Sequence, residues 1–138
     1  MREILFKAKR ICDGEWVEGY YLRDQYHLRG KDIIFYRKDS DRFTVYTDRI
    51  NIETLCQFTG LYDKNGNKIW ENDILMAHLD ESCPEDMTYE IVEWGIAGWV
   101  THEAGSIDRQ YLDEFDTEYF EVVGNIFDNK ELLQEETE

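Results

Sequence analysis

Four residues of the chain have side chains typical of a metal site: His78, Glu81, Cys83 and His102. No two of them show the close Cys-x2-Cys or His-x3-His spacing of a zinc site. Three histidines scattered over 138 residues need no ligand role. We therefore predict no metal site.

The segment Asp63–Asn67 has oxygen-bearing side chains at alternate positions, as a calcium loop does at its start. A calcium loop carries glycine at its sixth position and a bidentate glutamate at its twelfth. Counting from Asp63, these positions hold Lys68 and Ile74. Lys68 also comes one place too late after Gly66 for a phosphate-binding loop. A plain β-turn accounts for the segment.

No motif for nucleophilic catalysis is present, neither G-x-S-x-G nor H-E-x-x-H. The chain contains 31 Asp and Glu, so neighbouring carboxylates arise without any catalytic purpose. We predict that the protein is not an enzyme, has no catalytic residues and needs no cofactor.

The net charge of −16 is unevenly distributed along the chain. Residues 1–69 contain 13 Lys and Arg against 11 Asp and Glu, a net of +2, whereas residues 70–138 contain 2 against 20, a net of −18. The asymmetry indicates either an acidic interaction surface or a device for solubility.

Aromatic residues are frequent and could stack on the bases of a single-stranded nucleic acid or fill a core. They include Trp16, Tyr20, Tyr21, Tyr36, Tyr46, Tyr62, Trp70, Trp94 and Trp99. Basic residues accompany them in the first half, namely Lys7, Lys9, Arg10, Arg23, Arg29, Lys31, Arg37, Lys38, Arg42 and Arg49. A basic face forms only if the strands separate these cations from the interleaved acids.

No apolar run approaches the roughly 18 residues of a membrane helix, and the first residues lack a signal-peptide core. The three cysteines, Cys12, Cys56 and Cys83, are odd in number and far apart, which favours reduced thiols. We expect a cytoplasmic protein with no membrane partner.

The elements that position these side chains are predicted to be short antiparallel strands. They cover Ile4–Lys9, Trp16–Leu22, Ile33–Arg37, Phe43–Tyr46, Cys56–Tyr62, Ile69–Trp70, Ile74–His78, Tyr89–Trp94, Trp99–His102 and Tyr119–Phe127. Asn65-Gly66 and Gly95–Gly98 predict tight hairpins. The fold class is mainly β, a β-rich α+β protein with an SH3-like barrel or pseudo-barrel.

Two short helices complete the prediction. Apolar residues near one face predict a helix over Ser106–Phe115. At the end of the chain, Asp128 is placed to cap a second helix that packs Leu132 and Leu133 against the sheet, with Phe127 contacting Leu132. Residues 134–138 are expected to fray.

Residues 57–75, QFTGLYDKNGNKIWENDIL, resemble the YopX-like family of phage and prophage proteins, whose members carry Q-F-T-G-L-x-D-x-N-G-x-x-I-[YFW]-E-G-D-I-[VL]. The start of the chain and the closing segment from Gly124 to Leu133 are similar to the family as well. The matching positions are Gln57, Phe58, Thr59, Gly60, Leu61, Asp63, Asn65, Gly66, Ile69, Trp70, Glu71, Asp73, Ile74, Gly124 and Asn125. Asn72 replaces the family's glycine, which is consistent with a left-handed turn residue.

The resemblance implies a mainly β protein from a phage or prophage, acting in a bacterial host, and it implies no established activity. We interpret the matching positions as structural. The predicted organisation is one domain, with an N-terminal β portion over residues 1–55, a barrel portion over 56–133 and a tail over 134–138.

Three functions stay open at this point. The first is a non-catalytic accessory or binding protein that self-associates through exposed strand edges and contacts a host or phage protein. The second is an acidic decoy that imitates DNA and occupies a host nucleic-acid-binding protein. The third is single-stranded nucleic-acid binding by the first half.

Overall fold

The structure of the chain is a computed structural model, and it describes residues 3–24, 31–78, 87–113 and 118–133. Within these residues the protein is mainly β, and its strands pair antiparallel. The described residues include the 3-10 helices Ile52–Thr54 and Lys130–Leu133, and no helix among them is long and apolar enough to cross a membrane. The chain divides into two compact units, Met1–Phe58 and Thr59–Glu138.

The N-terminal unit is built from an antiparallel sheet. Its strands are β1 (Phe6–Lys9), β2 (Trp16–Asp24), β3 (Lys31–Lys38), β4 (Asp41–Arg49) and the start of β5 (Cys56–Tyr62), in the spatial order β4-β3-β2-β1-β5. The core lies on one face, where Ala8, Val17, Ile34 and Ile50 are buried. An isolated bridge between Arg10 and Ile50 links the ends of β1 and β4.

The C-terminal unit contains the remainder of β5 and a second antiparallel sheet. Its strands are β6 (Lys68–Trp70), β7 (Asp73–His78), β8 (Met87–Trp94), β9 (Trp99–Glu103), β10 (Gln110–Tyr111) and β11 (Glu121–Asn125). The sheet order is β10-β9-β8-β7-β11, and β6 lies beside β5. The core cluster comprises Ile69, Leu75, Ala77, Val92, Trp99, Leu112 and Phe120.

All ten predicted strands correspond to strands of the structure, and both predicted hairpins are confirmed. Gly66 has a positive φ of 82° in the turn between β5 and β6. At the tip of the β8–β9 hairpin, Trp94 pairs with Trp99 and the Gly95 N–H donates to the Gly98 carbonyl at 2.7 Å. The strands form open sheets in the described part of the chain, so the closed barrel is a wrong prediction. The SH3-like winding stays a prediction.

The helix predicted over Ser106–Phe115 is wrong for residues 106–113, and residues 114–115 lie outside the described residues. Gln110 and Tyr111 instead form β10, which pairs with β9. The Ser106 hydroxyl accepts the Asp108 N–H at 3.1 Å, a local turn that competes with helix formation. Of the apolar residues in this segment Leu112 is buried, whereas Ile107 is 92% exposed, so the helical spacing did not mark a packed face.

The end of the described chain is shorter and tighter than the predicted helix. Lys130–Leu133 form one 3-10 turn, in which the Leu132 N–H donates to the Asn129 carbonyl at 3.1 Å. Asn125 accepts the N–H groups of Phe127 and Asp128, both at 2.9 Å. Asn125 therefore holds the turn that precedes the 3-10 segment, and the Asp128 side chain accepts the side-chain amide of Asn125 at 3.2 Å.

Gly19 on β2 is buried and packs tightly against β3. A Cβ atom at this position would lie 2.3 Å from the Phe35 carbonyl oxygen and 2.8 Å from Cγ2 of Ile34. Contacts this short with backbone require the strands to move apart. A residue without a side chain is therefore needed here.

We expect Gly19→Ala to lower the free energy of unfolding by about 1–3 kcal/mol, because the added methyl group overpacks a rigid site. Urea unfolding followed by tryptophan fluorescence measures this loss. Glu18→Ala, an exposed neighbour on the same strand, is the control and should change stability by less than about 0.5 kcal/mol. Equal midpoints for the two variants would contradict the packing argument.

Candidate functional site

The register of the N-terminal sheet sorts its side chains onto two faces. Residues opposite each other on antiparallel strands share a face, and neighbours along a strand alternate. Lys9 pairs with Trp16, Tyr20 with Phe35, and Phe35 with Thr47. Ala8, Val17 and Ile34 point to the core and define the inner face. The opposite surface, the outer face, comprises Lys7, Lys9, Trp16, Glu18, Tyr20, Leu22, Lys31, Ile33, Phe35, Arg37, Thr47 and Arg49.

Cations and aromatic rings are interleaved on the outer face. The ammonium groups of Lys7 and Lys9 lie 4.7 and 5.4 Å from the centroid of the Trp16 ring, within cation–π range. The rings of Tyr20 and Phe35 contact each other with centroids 5.5 Å apart. Tyr20 is 54% exposed. The outer face thus offers exposed ring surface beside positive charge.

Carboxylates of the same strands lie on the inner face and are bound there. The Tyr21 hydroxyl donates to Asp32 at 2.5 Å, and the Tyr36 hydroxyl donates to Asp48 at 2.8 Å. These hydrogen bonds, together with burial, raise the pKa of both tyrosine hydroxyls above the ordinary value. The outer face keeps five cations, Lys7, Lys9, Lys31, Arg37 and Arg49, and one carboxylate whose side chain is described, Glu18.

Asp63 in the C-terminal unit is a buried carboxylate that organises the turn between β5 and β6. One oxygen accepts the N–H groups of Asn65 and Asn67 at 2.9 and 2.8 Å. The other accepts the Val122 N–H at 2.9 Å and the side-chain amide of Asn67 at 3.3 Å. Burial would raise the pKa of Asp63, but these four donors outweigh it and hold the pKa below its ordinary value. Because N–H donors surround both oxygens of Asp63, this carboxylate is not available to coordinate a calcium ion.

A second turn is held by Asp73, which is 2% exposed. Its carboxylate accepts the Trp70 N–H at 2.8 Å, closing the corner between β6 and β7. Asn72 occupies the left-handed region with a φ of 70°, as its replacement of glycine predicted. Its N–H donates to the Val92 carbonyl at 2.7 Å, and its own carbonyl accepts the Ile126 N–H at 3.0 Å. The corner between β6 and β7 is therefore bonded to β8 and to the residue that follows β11.

The remaining positions of the motif lie around these two turns. Phe58, Thr59, Ile69, Trp70 and Ile74 are buried, Leu61 packs on the core cluster, Gly60 and Gly66 have positive φ, and Gln57, Asn65 and Glu71 are exposed or half-buried. The Thr59 hydroxyl donates to the Ile69 carbonyl at 2.7 Å and accepts the Leu61 N–H at 3.1 Å. Thr59 thus links β5 to β6, and the motif acids Asp63 and Asp73 bind the backbone of the two turns.

Gly124 and Asn125 meet a residue that the sequence reasoning missed, Asn129. The Asn129 side chain folds back and accepts the Asn125 N–H at 3.2 Å. A Cβ atom on Gly124 would lie 2.4 Å from its oxygen, so only glycine leaves room. The sequence signal for this contact was a second asparagine, Asn129, four residues after Asn125.

A charged cluster of Glu93, His102 and Arg109 was not foreseen either. Glu93 forms an ion pair with Arg109 and lies 3.3 Å from Nε2 of His102. Arg109 also donates to the Ser106 carbonyl at 2.7 Å, which fastens the segment before β10 to β8 and β9. The partners lie up to 16 residues apart, so no local pattern announces them.

A cleft of about 200 Å³ lies beside this cluster and is lined by Glu90, Thr101, His102, Glu103, Ser106, Asp108 and Gln110. The Thr101 hydroxyl donates to Glu90 at 3.1 Å, and the Ser106 hydroxyl accepts the Asp108 N–H. Both hydroxyls are therefore occupied by structural bonds. Within the described part of the chain, no three His, Cys, Asp or Glu side chains converge as metal ligands. Cys83, Glu81 and the side chain of His78 lie outside the described residues.

Comparison with known proteins matches this chain to one protein family. The family model described as "YopX protein" matches residues 5–134, nearly the whole chain. The chain belongs to the YopX family. The motif residues gathered around Asp63 and Asp73 lie within the stretch that the model matches.

A solved structure with a similar fold is the crystal structure of protein EF1440 from Enterococcus faecalis. The two superpose with a TM-score of 0.62 at 20% sequence identity, over 97% of this chain and 100% of the other. At this identity the likeness concerns the fold. No curated protein matches the chain.

The pKa of Asp63 predicts a specific dependence of stability on pH. A carboxylate whose pKa is lower in the folded state stabilises the fold above its unfolded value of about 3.9, and the contribution is lost as pH falls through the folded value. We expect Asp63→Asn to lower the free energy of unfolding by about 2–4 kcal/mol at pH 7. The loss should shrink as the pH falls below about 4.

Urea unfolding at a series of pH values measures both effects. Asp108→Asn, an exposed acid in the same unit, is the matched control and should leave the curve nearly unchanged. If the two variants lost equal stability at every pH, Asp63 would not hold the turn through its charge.

Proposed function

We propose that this YopX protein is a non-catalytic accessory protein of phage or prophage origin whose N-terminal unit binds single-stranded nucleic acid along the outer face. The observation that carries the proposal is the separation of charge by register. Strand alternation moves Asp32 and Asp48 to the inner face and leaves the five cations of the outer face beside Trp16, Tyr20 and Phe35.

The outer face supplies both interactions that sequence-tolerant binding of a single strand requires. Bases stack on exposed aromatic rings, and Lys and Arg contact the phosphates. Tyr20 and Phe35 lie side by side on β2 and β3, and Trp16 lies further along β2. Lys7 and Lys9 flank Trp16, and Arg37 follows Phe35 by two positions on the same face. Stacking surface and charge therefore alternate across the sheet.

The total charge of −16 does not argue against this proposal, because the acidic excess lies in the second half of the chain. Residues 1–58 contain 11 Lys and Arg against 10 Asp and Glu. Two of these acids, Asp32 and Asp48, are bound to tyrosines on the inner face, where Arg23 and Arg10 also pair with them, and the outer face keeps five cations against the one described carboxylate of Glu18. A single strand, with unpaired bases available for stacking, fits this face better than a duplex, whose bases are already stacked.

The acidic decoy is less well supported by the C-terminal unit. A DNA mimic needs carboxylates displayed in a row, yet Asp63 and Asp73 are buried and accept backbone N–H groups. Glu93 is paired with Arg109 and His102. The carboxylates of these three acids are therefore bonded to groups of the C-terminal unit itself.

Fluorescence anisotropy with a labelled oligothymidylate of about 15 nucleotides at low salt tests the proposal. We expect saturable binding that weakens as salt rises, because displaced counterions return to the phosphates. Tyr20→Ala should weaken binding about tenfold, through lost stacking. Tyr119→Ala, an equally exposed tyrosine of the C-terminal unit, should have no effect.

A second pair of variants separates the two faces. Arg37 and Lys38 are adjacent on β3, but alternation places Arg37 on the outer face and Lys38 over the Tyr46 ring on the inner side. Arg37→Ala should weaken binding and reduce the salt dependence, whereas Lys38→Ala should not. No binding at low salt, or equal losses for both variants, would refute the proposed face.

A further inference from the structure

Glu18 is an exposed carboxylate among the cations and rings of the outer face. In the antiparallel register it lies opposite Lys7, a position from which opposite charges usually pair. The Lys7 ammonium group instead lies 4.7 Å from the centroid of the Trp16 ring. Within the described part of the chain, the Glu18 carboxylate has no hydrogen bond or ion pair. Its acceptor oxygens are therefore free on a face that otherwise attracts negative charge.

The backbone between Glu18 and the stacking rings is fixed by Gly19. Glu18 and Tyr20 are alternate residues of β2, so their side chains leave the same face of the sheet about 6–7 Å apart. Gly19 between them packs against the Phe35 backbone, where an added Cβ would lie 2.3 Å from the carbonyl oxygen. The Tyr20 ring contacts the Phe35 ring and stays 54% exposed. A base stacked on Tyr20 thus has its edge within reach of the Glu18 carboxylate.

An ionised carboxylate discriminates between bases because it only accepts hydrogen bonds. The Watson–Crick edge of guanine presents two adjacent donors, N1–H and the 2-amino group, which match the two carboxylate oxygens. Thymine presents one donor between two carbonyl acceptors, and adenine and cytosine each place a ring-nitrogen acceptor beside the amino group. These edges are free in a single strand. Guanine is therefore the base that a free carboxylate on this face selects.

We propose that the outer face prefers guanine within a single strand, with the base stacked on Tyr20 and its N1–H and 2-amino groups bound by Glu18. This inference rests on the proposed function and adds a specificity-determining residue to it. The cations of the face contact the phosphates of neighbouring nucleotides, so the ligand is a strand and not a free nucleotide. For a strand without guanine, the Glu18 charge only repels the phosphates.

Fluorescence anisotropy at low salt tests the preference. It compares a labelled oligothymidylate of about 15 nucleotides with the same strand carrying guanine at every third position. We expect the guanine strand to bind about tenfold more tightly, since one bidentate contact supplies a discrimination of this size. Inosine at the same positions lacks the 2-amino group and should lose most of the gain. Unlabelled guanosine monophosphate at an equal concentration should not displace the strand.

Variants of Glu18 test its role by the direction of the change. Glu18→Ala should weaken binding of the guanine strand, because the contact is lost, and strengthen binding of oligothymidylate, because a negative charge is removed. Glu18→Gln replaces one acceptor with a donor and should also reduce the preference. Glu53→Ala removes the same charge from the exposed 3-10 helix of the N-terminal unit and should keep the preference for guanine. Circular dichroism confirms that the variants are folded.

The outcomes separate this inference from the proposed function. Equal binding of the guanine strand and oligothymidylate would overturn the guanine preference alone, whereas no binding of either strand would overturn both. A preference that survived Glu18→Ala would assign the selection to another residue and overturn the role of Glu18. Displacement by guanosine monophosphate would overturn the strand as the ligand.

Discussion

The alternation of side chains along antiparallel strands is the constraint on which the molecule depends. Residues opposite each other share a face, so one register fixes the destination of every side chain in the sheet. In the N-terminal unit, Lys9 opposite Trp16 and Phe35 opposite Tyr20 place a cation and three rings outside. The same register places Asp32 beneath the Tyr21 hydroxyl. A slip by one residue would exchange the two faces.

Turns that connect the strands depend on a different interaction, the capture of backbone N–H groups by buried oxygen atoms. Asp63 and Asp73 each lie beneath a turn and bind backbone N–H groups there. A buried carboxylate is stable only when several donors surround it. This requirement explains why the motif combines acids with Asn and Gly: the acids accept, and Asn72 and Gly66 provide the positive φ that brings the donors within reach.

Local chemistry made part of this structure predictable. The Asn65-Gly66 reversal, the left-handed Asn72 and all ten strands follow from residue types and their spacing. The helix prediction for the segment from Ser106 was wrong. The apolar residues of this segment have helical spacing, but the groups that it bonds to lie on other strands. Leu112 bonds to Trp99, and Arg109 pairs with Glu93. Tertiary contacts of this kind override a weak local preference, since a helix of this length gains little stability on its own.

The sequence by itself determined the family, the β-rich class, the hairpins and the uneven charge, because each depends on composition or on neighbours within a few residues. Whether the cations and acids of the first half share a face could not be read from it. Register depends on pairing between strands that are far apart along the chain, and only the tertiary structure decided it. That pairing placed Asp32 and Asp48 inside and Arg37 and Arg49 outside, because opposite partners must share a side of the sheet.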